Sequence, residues 1–277
     1  MRELRKGAGG FGTQIALTAG ISTRSQENGR EFPYTSAMRF ILVDSADARG
    51  CVALCHDAIP YAVEAHPADQ EYSAWLLPAV RRLLGSCCLS ISELDGYAVC
   101  SGPGSFTGLR VGLTTVKAWA EIYSKPIVAV SRLAAFALSS PPSAGLNAEC
   151  VAAYLDAHRN QVFAALYRDT GEVIHDESVI ALDAFLEKVQ VECGSGPVLW
   201  KTPDPELLHT QASWPARQAQ GDLVEPIEPP FASQLAALAN AKFIRRDFTD
   251  SLALDANYVR RSDAEIYWKG NPSAARI

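Results

Sequence analysis

From residue 38 onward the chain alternates short apolar runs with small polar turns. The stretch "MRFILVDSADARGCVALCHDAIPYAVEAH" runs apolar into Asp44, runs again from Cys51 to Cys55, turns at His56-Asp57 and runs a third time. This pattern predicts three consecutive strands. Tyr72, Trp75, Leu76, Ala79, Val80, Leu83 and Leu84 then recur at helical spacing, which predicts a helix over 72–84, with Pro78 marking a kink or a restart. Beyond it the pattern predicts a short buried strand at Tyr97 to Cys100, a helix over Thr107 to Tyr123, a strand at Pro126 to Ser131 and a short helix at Leu133 to Leu138. "SSPPSAG", residues 139–145, has the composition of a linker.

The plan then returns. "CVAAYLDAHRNQVFAALYRDTGEVIHDE" runs apolar into Asp156, again over Gln161 to Tyr167, turns at Asp169-Thr170-Gly171 and runs a third time. A helix over Leu182 to Val189, a strand at Pro197 to Trp200, a Pro-rich stretch from Thr202 to Pro230 and a helix over Ala232 to Arg245 follow. Two β-β-β-α-β-α units, each with an Asp closing its first strand, resemble the actin, sugar-kinase and Hsp70 superfamily. That is an α/β fold of two ribonuclease-H-like lobes, whose facing turns hold phosphates through backbone amides. Such a fold carries no activity by itself. The expected organisation is a tail over 1–37, a first lobe over 38–139, a second, degenerate lobe over 146–265 and a C-terminal tail over 266–277. Residues 1–37, rich in Gly, Ser, Thr and Arg, read as disordered or as translation from an upstream start, with the folded protein opening at Met38.

Composition narrows the function classes. With 277 residues, 48% of them hydrophobic, the chain can bury a sizeable core. A formal net charge of −6 argues against a surface that grips nucleic acid unaided, so any such role is shared with a partner. Seven cysteines, with no C-x-x-C and no finger spacing, read as reduced thiols. No run approaches the ~18 apolar residues of a membrane span. The expected location is the cytoplasm.

The densest local signal is "SGPGSFTGLRVGLTTVKAWAEIY", residues 101–123. As a phosphate cradle it offers a strand, a Gly-rich turn and a helix start whose free amides favour an anion, with Gly102, Gly104, Ser105, Thr107 and Gly108 as candidates beside Asp44 and Ser45 of the first turn and Asp156 of the second. It lacks G-K-[ST] and the dinucleotide spacing, and Pro103 removes a donor. As a packing device, the helix is apolar on two sides: Leu109, Gly112, Leu113, Val116, Ala120 and Tyr123 form one stripe, and Val111, Thr115, Trp119 and Ile122 a second. One stripe can cover the chain's own sheet; the other is satisfied either within the monomer or by a partner's helices. Ala74 and Leu77 lie outside the main stripe of the preceding helix and extend that surface. Trp75, Leu77, Phe106, Leu109, Val111, Gly112, Leu113, Val116 and Trp119 are the candidate partner-binding residues. Arg110 and Lys117, seven apart on the helix, are candidates for an acidic partner surface or an RNA phosphate.

"GPGSFTGLRVGLTTVKAWA" closely resembles the signature stretch of the TsaB family of bacterial tRNA threonylcarbamoyladenosine biosynthesis proteins. "ILVDSADARGCVAL", "LDAHRNQVFAALY" and "NYVRRSDAE" resemble its two strand-turn-strand segments and its C-terminal stretch, so the likeness spans Met38 to about Glu265. The resemblance implies a non-catalytic subunit that pairs with its catalytic paralogue TsaD through helices of the first lobe. With the ATPase TsaE, that pair transfers a threonylcarbamoyl group to the adenosine beside the anticodon of tRNA. It implies no cofactor of the chain's own, ATP and metal belonging to TsaD and TsaE. The sequence departs from the family where the usual Arg-Arg-Gly-Glu-Val-Tyr reads His158-Arg159-Asn160-Gln161-Val162-Phe163. Asn in place of Gly still tolerates a left-handed conformation.

Several chemistries lack residues to carry them. Catalytic paralogues hold metal with H-x-x-x-H after the third strand; here that region reads Asp69 to Trp75 without a histidine. His56, His66, His158, His175 and His209 are scattered, so no metal site and no peptidase centre is expected. An Asp at a strand end either positions Mg²⁺ or water, or caps its turn; turn-capping is favoured for Asp156, and Asp44 stays open between the two. No nucleophile triad can be assembled. Arg245-Arg246, Arg260-Arg261, Lys269 and Arg276 gather positive charge near the C-terminus, where tRNA phosphates or solvent would meet it. The competing functions are an autonomous ATP-dependent small-molecule kinase of the same fold and a homodimeric structural protein using the same helices.

Overall fold

The computed structural model describes residues 37–138 and 148–257. The tail over 1–36, the linker stretch 139–145, the family-like end of the C-terminal stretch and the basic groups beyond residue 257 lie outside the described residues.

Each half is built on a five-stranded sheet, and the two sheets have one topology. In the first, β1 (Arg39–Asp44), β2 (Cys51–His56) and β3 (Ile59–Ala65) form an antiparallel meander, and β4 (Gly96–Gly102) and β5 (Ile127–Ser131) add in parallel on the other side of β1, giving the order β3-β2-β1-β4-β5. In the second, β6 (Cys150–Asp156), β7 (Gln161–Arg168) and β8 (Val173–Ala181) repeat the meander, with β9 (Val198–Thr202) and β10 (Leu223–Pro226) parallel to β6. Strand for strand this is the first sheet again. The duplicated, two-lobed actin-like plan expected from the repeat is the observed one.

The central strands read as continuous apolar runs because both their faces are covered. α1 (Tyr72–Ser86) and α2 (Phe106–Tyr123) lie on one face of the first sheet, and α4 (Leu182–Cys193) on the outer face of the second. The last helix of each unit crosses over. α3 (Arg132–Leu138), at the end of the first unit, packs on β6, β7 and β9 of the second sheet, whereas α7 (Ala232–Arg245), at the end of the second unit, packs across all five strands of the first. The two meet, and their side chains seal the centre: Phe136 of α3 is edge-on to Phe231 at 4.9 Å, and Phe243 of α7 sits 5.1 Å from Phe40 of β1. One continuous hydrophobic core therefore runs through both lobes, with a smaller second core around Trp200 and Trp214 under α4.

Local differences from the pattern have physical reasons. α1 runs unbroken through Pro78. Pro78 and Ala74 are both exposed, so the carbonyl that loses its amide donor can be hydrated, which lowers the cost of the proline. The Pro-rich stretch holds more than loop: α5 (Glu206–His209), α6 (Trp214–Ala219) and β10 lie within it.

Candidate functional site

The β1–β2 turn of the first lobe meets the turn after β9 of the second between the lobes, where Arg49 reaches Asp204. Here the chain's own ionic groups form the contact. Asp44, at the end of β1, accepts hydrogen bonds from Arg132 Nε at 3.1 Å and from Nη2 at 2.8 Å to each carboxylate oxygen, with both side chains 0% exposed. Arg132 Nη1 lies 2.7 Å from Asp47 Oδ2. Asp47 also pairs with Arg49 at 2.9 Å, and Arg49 reaches Asp204 of the second lobe at 2.6 Å. Asp204 in turn accepts from the backbone amide of Asp156 at 2.8 Å and, through its carbonyl, from the Tyr154 hydroxyl at 2.9 Å. Both guanidiniums lie over the face of Phe231, at 5.0 Å for Arg132 and 5.8 Å for Arg49. A five-member chain of alternating charge, Asp44, Arg132, Asp47, Arg49, Asp204, thus ties the two turns together.

The electrostatics follow from burial and pairing. Burial pushes the Asp44 carboxyl up against the pull of Arg132. At Asp47 burial acts in the same direction, but the charges and hydrogen bonds of Arg132 and Arg49 overcome it and hold the group at about 2. Arg132 is buried too, and Asp44 and Asp47 keep it charged. A divalent cation at Asp44 would have to displace a bidentate guanidinium from a sealed pocket, so this donor set does not fit a metal or a metal-bound nucleotide. Among the described residues, no group of three or more His, Cys, Asp or Glu is placed to hold a metal ion.

The glycine loop is answered by its neighbours. A Cβ on Gly104 would stand 2.2 Å from the Ala46 carbonyl oxygen, one on Gly108 2.2 Å from the Ser45 carbonyl oxygen, and one on Gly112 2.3 Å from Ser45 Oγ. Ser105 donates its amide to the Ala46 carbonyl at 2.5 Å, Ser45 Oγ donates to the Gly108 carbonyl at 2.8 Å, and Ser105 Oγ caps α2 by accepting from the Gly108 amide at 3.3 Å. Gly102 holds a left-handed φ of 121°. The loop and the β1–β2 turn are pressed backbone to backbone. Asp44, Ser45, Gly102, Gly104, Ser105 and Gly108 do come together, but on each other; Thr107 is exposed on α2. Asp156 lies in the facing turn and accepts from the His158 amide at 2.7 Å, the turn-capping role expected of it. His158, Arg159 and Asn160 all take left-handed φ near 58°, so Asn160 does what the family's glycine would.

The candidate partner-binding residues divide. Trp75, Leu109, Gly112, Leu113 and Val116 are buried in the chain's own core, where the first stripe of α2 and the main stripe of α1 cover the sheet, so they are corrected to core positions. Leu77 at 56% exposed and Phe106 remain on the surface, and Val111 and Trp119 are half-buried, Trp119 leaning on Tyr97 at a ring distance of 5.8 Å. Ile122, 70% exposed, completes the second stripe. The α1–α2 pair therefore presents an outward face of Ala74, Leu77 and Pro78 on one helix and Val111, Thr115, Ala118 and Ile122 on the other. Arg110 stands over the Phe106 ring at 3.7 Å, and Lys117 lies on the same flank of α2.

Four members of the ionic chain were not singled out in the sequence: Arg132, Asp47, and the Arg49–Asp204 pair. Arg132 carried a signal, since it is the one cation in the run "RLAAFAL", and a charge on a short apolar helix implies a buried partner. The tie from Arg49 to Asp204 spans 155 residues of sequence, and no local pattern announces it. All seven cysteines are unpaired, and no helix among the described residues is long and apolar enough to cross a membrane.

Comparison with known proteins agrees with this architecture. Residues 65–213, more than half of the chain, match the sequence model of the family described as TsaD, tRNA N6-adenosine threonylcarbamoyltransferase. The tRNA threonylcarbamoyladenosine biosynthesis protein TsaB of Bacillus subtilis (strain 168) is 29% identical over 236 residues, covering 83% of this chain and 98% of the relative. TsaB of Escherichia coli (strain K12) is 32% identical over 148 residues, 52% of this chain and 62% of the relative. Among solved structures, YeaZ from Pseudomonas aeruginosa superposes with a TM-score of 0.63 at 25% identity, over 80% of this chain and 99% of that one. The chain belongs to the family of tRNA N6-adenosine threonylcarbamoyltransferase-related proteins and, within it, to the TsaB group.

Proposed function

We propose that the chain is a non-catalytic cytoplasmic subunit of the machinery that makes N6-threonylcarbamoyladenosine next to the anticodon of tRNA. It pairs with a TsaD-type paralogue through the α1–α2 face, and TsaE joins as the ATPase. The names of its relatives support the pathway. The observation that carries the non-catalytic role is the sealed Asp44–Arg132 pair, because the carboxylate that would serve Mg²⁺ in an active member of the fold is already bound by an internal guanidinium. The chain needs no cofactor of its own; ATP and metal belong to its partners, and tRNA meets the assembly rather than this subunit alone.

Reconstitution tests the reading. The paralogue and TsaE from the same genome should modify tRNA only when this chain is added, and the isolated chain should neither bind nor hydrolyse ATP. Product formed at an undiminished rate without the chain would overturn the supporting role. Calorimetric binding of Mg-ATP by the lone chain would instead favour the autonomous kinase.

A further inference from the structure

The first lobe has a pocket at the far end of β5 from Arg132. A helix end, a strand start and a returning loop enclose it: α2 stops at Tyr123, β5 opens at Ile127, and the chain beyond α7 comes back beside them. Two left-handed residues set this up. Ser124, with φ 51°, ends α2 and swings Lys125 off the helical path, and Arg246, with φ 56°, ends α7 and turns the chain toward β5. Thr249 then pairs with the strand, its amide donating to the Ile127 carbonyl at 2.8 Å and its Oγ1 accepting from the Ala129 amide at 3.0 Å. The cavity left between them measures about 310 Å³, at the lower end of the range for small-molecule sites.

Its lining divides by chemistry. Ala120, Pro126, Ile127 and Phe248 give an apolar wall, with Phe248 beside Phe243 at a ring distance of 6.3 Å. Glu121 and Lys125 give one charge of each sign, and the last turn of α2 adds carbonyls that have no donor within the helix. Four residues apart, the two charges would pair on a continuous helix. The left-handed turn at Ser124 parts them, and Lys125 is half-buried with no ion-pair partner among the described residues. Glu121 accepts a hydrogen bond from Ser251, which fixes its carboxylate against the returning loop.

We infer that this pocket binds a small dipolar ion, an α-amino acid with an apolar side chain. The ammonium meets Glu121 and the carbonyl end of α2, where the helix dipole favours positive charge. The carboxylate meets Lys125 and the Ser124 hydroxyl in charge-assisted bonds. The side chain lies along Ile127 and Phe248. A simple anion would face the Glu121 carboxylate and a simple cation the Lys125 ammonium, so the pair selects a molecule that carries both signs. Because β5 separates the pocket from Arg132, a ligand there does not touch the ionic chain between the lobes.

Leucine, valine and phenylalanine are the probes, titrated into the isotope-labelled chain and followed by nuclear magnetic resonance. At least one should shift the amide signals of residues 120–127 and 248–251 with a Kd of about 0.1–1 mM. Its N-acetyl derivative, which lacks the ammonium, and its amide, which lacks the carboxylate, should each bind about tenfold more weakly. Glu121→Gln and Lys125→Gln, checked for an unchanged thermal midpoint, should each weaken the free amino acid by about tenfold. Glu121→Gln should no longer distinguish it from the N-acetyl form, nor Lys125→Gln from the amide. Should either variant lose its midpoint, the two blocked compounds on the parent chain decide by themselves. No shift in those segments with any of the three probes up to about 20 mM would overturn the assignment. Equal binding of the free and both blocked compounds would overturn it too, the cavity then being an apolar hollow with incidental charges.

Discussion

Arg132 and Asp44 share three hydrogen bonds of 2.8 to 3.1 Å, with neither side chain exposed to solvent. Removing one member strands the other. Arg132→Ala should destabilise the protein by about 3–5 kcal/mol, because it leaves a buried carboxylate that neither water nor a cation reaches. The double variant Arg132→Met/Asp44→Leu should recover most of that loss, since an apolar pair of similar bulk avoids the desolvation cost. Urea denaturation of the two variants and the parent checks the order. A double variant weaker than Arg132→Ala would contradict the account.

Asp47 gives the network a pH signature. Its folded value of about 2 lies below the ordinary 3.8, so its contribution is fully present above that ordinary value and is lost as pH falls through about 2. The difference corresponds to about 2 kcal/mol. Asp47→Asn should lower stability at neutral pH by roughly that amount and should flatten the loss between about pH 5 and pH 2 relative to the parent. Asp44, raised chiefly by burial, has the opposite sense, and because the Asp47 charge also pushes it up, Asp47→Asn lowers the Asp44 value as well and reports on the coupled pair.

Gly104 and Gly108 are fixed by backbone atoms that cannot step aside. Gly104→Ala and Gly108→Ala should each cost about 1–3 kcal/mol, the range for forced overpacking. Gly85, in the same lobe and inside α1, should behave in the opposite way: Gly85→Ala gains about 0.5–1 kcal/mol from helix propensity and meets no atom. Thermal unfolding reads all three.

Leu77 and Leu113 separate surface from core. Leu77→Arg should leave the midpoint of unfolding within about 0.5 kcal/mol of the parent and abolish co-elution with the paralogue on gel filtration. Leu113→Arg places a charge where the parent residue is 4% exposed, and should fail to fold. A Leu77→Arg protein that still co-elutes would take the α1–α2 face out of the assembly.

Much of this architecture was legible in residue order, for identifiable reasons. The repeated meander was readable because Asp44 and Asp156 close apolar runs of similar length, and the sheet orders match accordingly. The helical stripes were readable because 3.6-residue periodicity survives even with Pro78 in the helix. What periodicity does not contain is which of two apolar stripes on α2 is spent on the chain's own sheet; that depends on where β1 and α1 lie, and Gly108 and Gly112 facing Ser45 decide it. The ionic chain between the lobes was hidden because Arg49 and Asp204 meet only after both units have folded. β10 and α5 were hidden because four residues are too few for either period to register.

The crossing of α3 and α7 makes each half the other's missing layer. Neither unit expressed by itself would have its last helix seated, and each would expose the apolar surface that the absent half covers. A single backbone cut between the halves should therefore yield two fragments that stay associated and melt together, and mixing the separately made pieces should restore the intact fold by complementation rather than leave two small autonomous domains.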